Sequence, residues 1–271
     1  MRSLLVIGLL LLALLPGRGQ LPAGISFTEG PLNTVSLERN GERLILYRGK
    51  APANVVLLTH ARRDLVEAVR SATTGARVVA PEKSRAALEQ AEAFWEQFWE
   101  KRFNYYGQQV NKVPVRSLAV NRLVKEGEVV KWQGLEFSVM ETAGYSRDAV
   151  TYLAEIGGKR IAFTGDLIWE GGLVFDLYSF QDAIPEARIG GYHGYGGRFG
   201  PWVTSLQKLA AWKPDLIVPA RGPLITNPAG DLAAAVKRVQ AIYRNYLSTN
   251  ALHWYFGKER LELCGKRVLG P

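Results

Sequence analysis

Cysteine and histidine are scarce in this sequence, which has one Cys and three His among 271 residues. Cys264 has no second cysteine in the chain, so we expect no internal disulfide. Three local signatures of functional sites are also absent: the G-x-S-x-G nucleophile elbow, the P-loop, and a strand followed by G-x-G-x-x-G. These absences remove the common sequence signals of serine hydrolases, P-loop proteins and dinucleotide-binding domains.

Long apolar runs are scarce as well, and the one near the N-terminus covers 4–15, after Arg2. It is shorter than the ~20 apolar residues that cross a bilayer. Small residues at Gly17 and Gly19 follow it, and this order is typical of a secretory signal peptide. We expect 1–19 to be removed and the mature protein to be secreted or periplasmic with no transmembrane segment. A retained membrane anchor is the alternative.

The chain is basic, with a formal net charge of +9, and 47% of its residues are hydrophobic. This hydrophobic content is enough for a large buried core. Removal of 1–19 takes away two arginines and no acid, which lowers the charge from +9 to +7. A basic mature chain favours an anionic small molecule or a cell-envelope component as its partner. Nucleic acid also fits the charge, but export argues against it.

Alternating apolar residues predict that the mature domain begins with a sheet. Asn40-Gly41 lies between two alternating segments and is a strong hairpin signal. A β-α-β pattern follows, which gives a parallel sheet and places 60–64 in a strand-to-helix loop. The predicted elements are two strands in 34–47, a strand at 55–58, a helix at 64–70 and a strand at 77–80.

An aromatic helical insertion is predicted at about 82–106, with rings at 94, 95, 98, 99 and 103. We expect its apolar face to pack on the sheet or within an inserted subdomain; a substrate-binding platform or a cover over the cleft is the alternative. A second β block follows. Its predicted elements are strands at 128–132, 135–140, 150–154 and 160–164, a glycine-rich loop at 190–200, a helix at 201–212, a strand at 216–218 and a helix at about 229–247.

Four short segments carry the most specific pattern: VVLLTHARRD at 55–64, ETAGYSR at 141–147, IAFTGD at 161–166 and IVPARGP at 217–223. In this order and spacing they resemble the metallo-β-lactamase superfamily, whose pattern is T-H-x-H-x-D-H, T-P-G-H-T, F-T-G-D and P-G-H-G-P. The resemblance covers about 36–247. It implies an α/β (α+β) fold, a four-layer αββα sandwich of two mixed β-sheets flanked by helices, with the metal site in the loops at one sheet edge.

Part of the zinc-binding set of that family is retained. His60, Asp64 and Asp166 match the first histidine, the aspartate and the later bridging aspartate. The other four ligand positions carry different residue types: Arg62, Leu65, Tyr145 and Arg221. Because guanidinium cannot act as a ligand and a catalytic zinc needs about three protein ligands, the resemblance implies a dismantled dinuclear centre.

Arginine at two former ligand positions predicts an electrostatic replacement for the metals. Unpaired buried carboxylates are strongly unfavourable, and Arg62 and Arg221 could neutralise Asp64 and Asp166 through directional ion pairs. We therefore expect no cofactor, and a non-catalytic protein whose cleft binds an anionic ligand or partner. The candidate ligand-binding residues are Arg62, Arg221, Tyr145, His193 and Arg198.

A metal-dependent hydrolase of an ester, phosphoester or lactam is the alternative function. His60, Asp64 and Asp166 would then hold one zinc or other divalent metal, and Asp64 would be the catalytic residue. Structural roles compete with both interpretations: His60 could cap the following turn, Asp64 could cap the helix, and Tyr145 could simply pack.

The sequence thus divides into three predicted parts. Residues 1–19 are the signal peptide, 20–250 form the metallo-β-lactamase-like domain with its aromatic insertion, and 251–271 form a C-terminal tail to which no element is assigned.

Overall fold

The computed structural model of the chain describes residues 20–100, 114–174 and 199–249. The strands in these ranges are β1 Ile25–Thr28, β2 Thr34–Arg39, β3 Glu42–Leu46, β4 Val55–Leu57, β5 Arg77–Pro81, β6 Arg122–Val124, β7 Val129–Trp132, β8 Leu135–Glu141, β9 Val150–Ile156, β10 Lys159–Gly165 and β11 Leu216–Pro219. The α-helices are α1 Arg63–Val69, α2 Arg85–Glu89, α3 Ala91–Glu100, α4 Phe199–Trp212 and α5 Pro228–Thr249.

The strands form two sheets, and both are mixed as predicted. The first has the order β1-β2-β3-β4-β5-β6, with antiparallel pairing from β1 to β3 and parallel pairing from β3 to β6. The second has the order β11-β10-β9-β8-β7, in which β10 and β11 are parallel and the other pairs antiparallel. The β4-α1-β5 unit supplies the predicted parallel pair.

The β2–β3 hairpin confirms the turn signal in the sequence. Leu37 pairs with Leu44 and Arg39 with Glu42, which leaves Asn40 and Gly41 as a two-residue loop. Both have positive φ, 51° and 77°. A two-residue loop of this handedness matches the twist of the paired strands, and Asn followed by Gly adopts it at low cost.

The two sheets pack face to face over one apolar core, and helices cover their outer faces. The shared core contains Leu37, Leu44 and Val55 from the first sheet and Phe137, Tyr152 and Phe163 from the second. Leu65 and Val69 of α1 and Leu88 of α2 belong to the same continuous apolar cluster. On the second sheet, Leu153, Ala162 and Ile217 pack against Trp202 and Leu206 of α4 and Leu232 and Val239 of α5. The layers therefore stack as helix, sheet, sheet, helix. Each large apolar side chain that is fully buried between them stabilises the fold by about 1.5–3 kcal/mol.

Two strands were not predicted, and several predictions fall outside the described ranges. The unpredicted strands are β1 and β6, which form the two edges of the first sheet. The aromatic helix is α3, and its Phe94 is half-buried and packs against both apolar clusters, which supports packing on the domain. The predicted signal peptide, the end of the aromatic insertion at 101–106, the glycine-rich loop through 198 and the tail lie outside the described residues. Within those ranges, no helix is both long and apolar enough to cross a bilayer.

Candidate functional site

Four loops and the start of one helix bring the predicted residues together. The loop after β4 carries His60 and Arg62, the β8–β9 loop carries Tyr145, Asp166 follows β10, Arg221 follows β11, and Asp64 lies in the first turn of α1. Most of these side chains are buried, since the residues His60, Asp166 and Arg221 are 1%, 5% and 6% exposed. His193 and Arg198 lie outside the described residues.

Arg221 joins the two aspartates. Its Nε donates to Asp166 Oδ1 at 3.0 Å and its Nη2 donates to Asp64 Oδ2 at 2.6 Å. Its Nη1 donates to the carbonyl of Pro31 at 2.8 Å. All three guanidinium nitrogens therefore bond to protein oxygens, and one cation lies between two carboxylates in the way expected from the sequence.

Arg62 extends the same network toward Tyr145. Its Nε donates to Asp64 Oδ1 at 2.8 Å, and its Nη1 donates to the hydroxyl of Tyr145. The guanidinium carbon also lies 4.9 Å from the centre of the Tyr145 ring, within the range of a cation–π interaction. Tyr145 is 1% exposed, so it both packs in the core and accepts a charged hydrogen bond.

Asp64 does not cap α1 and His60 does not cap the turn that follows it, so the capping interpretation is wrong for both residues. The N-cap is Arg62, and Asp64 lies inside the first turn, where its Oδ1 also accepts from Leu65 N at 2.9 Å. His60 Nδ1 instead lies 3.1 Å from Thr59 Oγ1. Asp64 is bonded mainly to Arg62 and Arg221, and His60 faces Asp166, so both side chains belong to the charged network.

His60 faces Asp166 at the buried end of the network. His60 Nε2 is 3.3 Å from Asp166 Oδ2, yet among the described residues neither atom has a hydrogen-bond partner of good geometry. Burial raises the pKa of Asp166, but the contact with His60 and the charges of Arg221 and Arg62 outweigh burial, so the pKa lies below its ordinary value. Asp166 is therefore a carboxylate at neutral pH.

Residues that the sequence analysis missed hold these loops in place. Asp148 is buried and its Oδ2 accepts from Ala61 N at 2.8 Å and from Ser84 Oγ at 2.5 Å. Asn33 donates through Nδ2 to the carbonyls of Pro219 at 3.0 Å and Gly222 at 2.7 Å, on both sides of Arg221. No local motif marks either residue, since each acts through partners far away in the chain.

Gly165 allows the β10 loop to approach the β4 loop. Its φ is 60°, and a Cβ at this position would lie 2.7 Å from Thr59 Oγ1 and 3.3 Å from His60 Nδ1. Its N–H donates to the hydroxyl of Tyr47 at 3.1 Å. A residue without a side chain is thus required where Asp166 is brought toward His60.

The residues at this edge do not fit a zinc site. Both oxygens of Asp64 accept from guanidinium groups, and Arg221 occupies the space between Asp64 and Asp166. Leu65 is fully buried in the apolar core. No group of three or more His, Cys, Asp or Glu in the described parts of the chain could hold a metal ion, whereas a catalytic zinc takes about three such ligands.

One curated protein gives a partial sequence match. Hydroxyacylglutathione hydrolase from Methylobacterium nodulans is 33% identical over 119 residues, which are 43% of this chain and 34% of that protein. The match thus spans about a third of that relative. No protein-family model matches the chain.

Solved structures match over most of the chain. A metallo-β-lactamase from Cronobacter sakazakii has a TM-score of 0.55 at 14% identity, with 83% of this chain and 91% of that one covered. BJP-1, a subclass B3 metallo-β-lactamase of Bradyrhizobium japonicum, has a TM-score of 0.56 at 17% identity, with 84% and 92% covered. A metallo-β-lactamase family protein from Thermus thermophilus has a TM-score of 0.56 at 17% identity, with 90% and 89% covered. Together with the two-sheet architecture, these similarities show that the chain has the metallo-β-lactamase fold.

Proposed function

We propose that this chain is an exported, non-catalytic protein of the metallo-β-lactamase fold that binds an anionic ligand or partner at the former catalytic edge. The observation that carries the proposal is the double ion pair of Arg221 with Asp64 and Asp166. A cation that bridges two carboxylates meets the electrostatic need that a metal ion would otherwise meet. In this proposal the protein retains the fold, and a guanidinium group replaces the metal ion that would act as a Lewis acid.

The charge balance around the site supports an anionic ligand. Arg62 and Arg221 are paired with Asp64 and Asp166, so these four charges cancel. Farther along α1, Glu67 pairs with both Arg70 and Arg116, which leaves one extra positive charge there. The chain without 1–19 is also basic as a whole, at +7 after the two arginines of that segment are taken from +9. An excess of positive charge raises the local concentration of anions.

Hydrolysis with a single metal is the competing function. His60 Nε2 and Asp166 Oδ2 are ligand-type atoms 3.3 Å apart that lack a good hydrogen bond among the described residues. The partial match to a hydrolase and the likeness to β-lactamases favour the same alternative. Against it, the third candidate ligand, Asp64, has both oxygens bonded to arginine.

An activity screen with added metal separates the two functions. Purified protein is tested on ester, phosphoester and lactam substrates with zinc or manganese, next to the near-isosteric variants Asp166→Asn and His60→Gln. We expect no turnover above that of the metal in buffer for any of the three proteins. Metal-stimulated hydrolysis that both variants abolish, while circular dichroism shows them folded, would establish the hydrolase instead.

A further inference from the structure

A groove of about 490 Å³ lies beside the charged network and is separate from its Tyr145 side. Arg221 and Asp64 line it at one end, and Arg48 lines it as well, whereas His60 and Tyr145 do not. Sites for small molecules have volumes of about 300–1,000 Å³. The groove is thus large enough for a small ligand.

The two carboxylates in the groove are already satisfied by cations. Asp64 accepts from Arg62 Nε, Leu65 N and Arg221 Nη2. Glu67 accepts from Arg70, with Nη2 to Oε1 at 2.8 Å, and from Arg116. Partial burial raises the pKa of Glu67, but the hydrogen bonds and charges of the two arginines outweigh burial and lower it. A cationic ligand would therefore have to displace arginine from either acid.

Arg48 differs from the other arginine that lines the groove. It follows β3 and is exposed, and within the described ranges its guanidinium has no ion pair or side-chain hydrogen bond. Arg221, by comparison, has all three nitrogens bonded and is 6% exposed. Among the groove-lining residues, Arg48 has the guanidinium that remains open to a ligand, and a planar guanidinium matches the two oxygens of a carboxylate or phosphate.

Apolar side chains complete the walls of the groove. Pro31 and Leu32 come from the loop before β2, and Ala68 comes from α1. Leu32 is buried, Pro31 is exposed and Ala68 is half-buried, so a ligand would cover apolar surface next to Arg48. Inorganic phosphate cannot use this surface, whereas an organic anion can.

We propose that this groove, which we call the Arg48 groove, binds a small organic anion, with a carboxylate or phosphate group on the Arg48 guanidinium and a short apolar body against Pro31, Leu32 and Ala68. The inference rests on the proposed function, for which it names the ligand class and the cation that contacts it. It assigns ligand binding to Arg48. Arg62 and Arg221 stabilise the neighbouring loops through their ion pairs with Asp64 and Asp166.

Calorimetric titration of the full chain tests this assignment. The probes are benzoate and phenyl phosphate, with inorganic phosphate as a third arm, and the proteins are wild type, Arg48→Ala, Arg48→Lys and Arg85→Ala. Arg85 is exposed and does not line the groove, so it controls for the loss of one positive charge. We expect an aromatic anion to bind more tightly than inorganic phosphate, and Arg48→Ala to weaken it about tenfold or more, as for a charged hydrogen bond.

The remaining outcomes test the role of the Arg48 guanidinium and identify the anionic group that it binds. Arg48→Lys keeps the charge without the paired donors and should lie between wild type and Arg48→Ala. A preference for benzoate or for phenyl phosphate assigns the carboxylate or the phosphate class. Binding that is equal in wild type and Arg48→Ala, or absent in wild type, overturns the Arg48 groove. The proposed loss of metal chemistry is judged by metal-dependent activity, which does not depend on Arg48, so the two failures can be told apart.

Discussion

Two ion pairs of nearly equal length lie in very different surroundings in this molecule. Arg221 Nε is 3.0 Å from Asp166 Oδ1, and these side chains are 6% and 1% exposed. Lys131 Nζ is 2.9 Å from Glu136 Oε1 on the β7–β8 hairpin, where the side chains are 77% and 60% exposed. Water screens the hairpin pair, so such pairs contribute little. Removal of one partner from a buried pair leaves an uncompensated charge, and burial therefore determines which pair the fold depends on.

Replacement of Arg221 tests this contrast with the largest expected effect. Arg221→Ala leaves Asp166 buried without its guanidinium partner and should lower the free energy of unfolding by about 3–5 kcal/mol. Arg221→Lys should recover part of the loss, because a point charge cannot bond both aspartates and Pro31 in the same way. Urea unfolding measures both variants against Lys131→Ala, for which we expect no measurable change. Equal effects of Arg221→Ala and Lys131→Ala would remove the distinction.

Acid titration of Asp166 has an intermediate expected effect. Its pKa is lowered in the folded state, so its stabilising contribution is complete above the ordinary carboxyl pKa of about 3.9. That contribution is lost as the pH falls through the lower folded value, where the native carboxyl also takes up a proton. Asp166→Asn should cost about 1.5–3 kcal/mol at neutral pH and make unfolding less dependent on pH in this acid window. Parallel stability curves for wild type and variant would contradict the assignment.

Removal of one hydroxyl at the edge of the network has the smallest expected effect. Tyr145→Phe keeps the ring under Arg62 but takes away the hydrogen-bond acceptor of Nη1. The loss should be about 1.5 kcal/mol, the lower end of the range for a hydrogen bond to a charged group, measured by urea unfolding. Glu136→Gln on the exposed hairpin is the control and should leave the midpoint unchanged. A larger effect in the control than in Tyr145→Phe would contradict the dependence on burial.

Most strands of the fold could be predicted from local pattern, including both edges of the second sheet, whereas the two edge strands of the first sheet could not. Asn40-Gly41 and the alternating segments of the second sheet gave hairpins that the structure contains. The missed strands β1 and β6 have four and three residues. They are no shorter than β4 and β11, which the sequence predicted from continuous apolar runs, but β1 and β6 contain no such run and are only partly buried. No local pattern therefore identifies them as strands, and their pairing depends on neighbours already in place.

The charged network could be predicted in outline because its residues occupy positions of a recognisable motif. Arg62 and Arg221 were expected to pair with Asp64 and Asp166, and the structure contains these pairs. Asp148 and Asn33 carried no comparable signal. Asp148 acts on Ala61, 87 positions away, and Asn33 acts on Pro219, 186 positions away. Contacts at such separations follow from the tertiary fold and leave no mark in the local sequence.

Metal analysis of the purified protein tests most directly whether Arg221 has taken the place of the metal centre. Protein prepared without chelator is dialysed and its zinc, manganese and iron are measured per chain, together with thermal unfolding before and after EDTA. The ion-pair account predicts metal well below one ion per chain and an unfolding temperature that EDTA leaves unchanged. One or two tightly held ions per chain, whose removal by EDTA lowers the unfolding temperature, would contradict it.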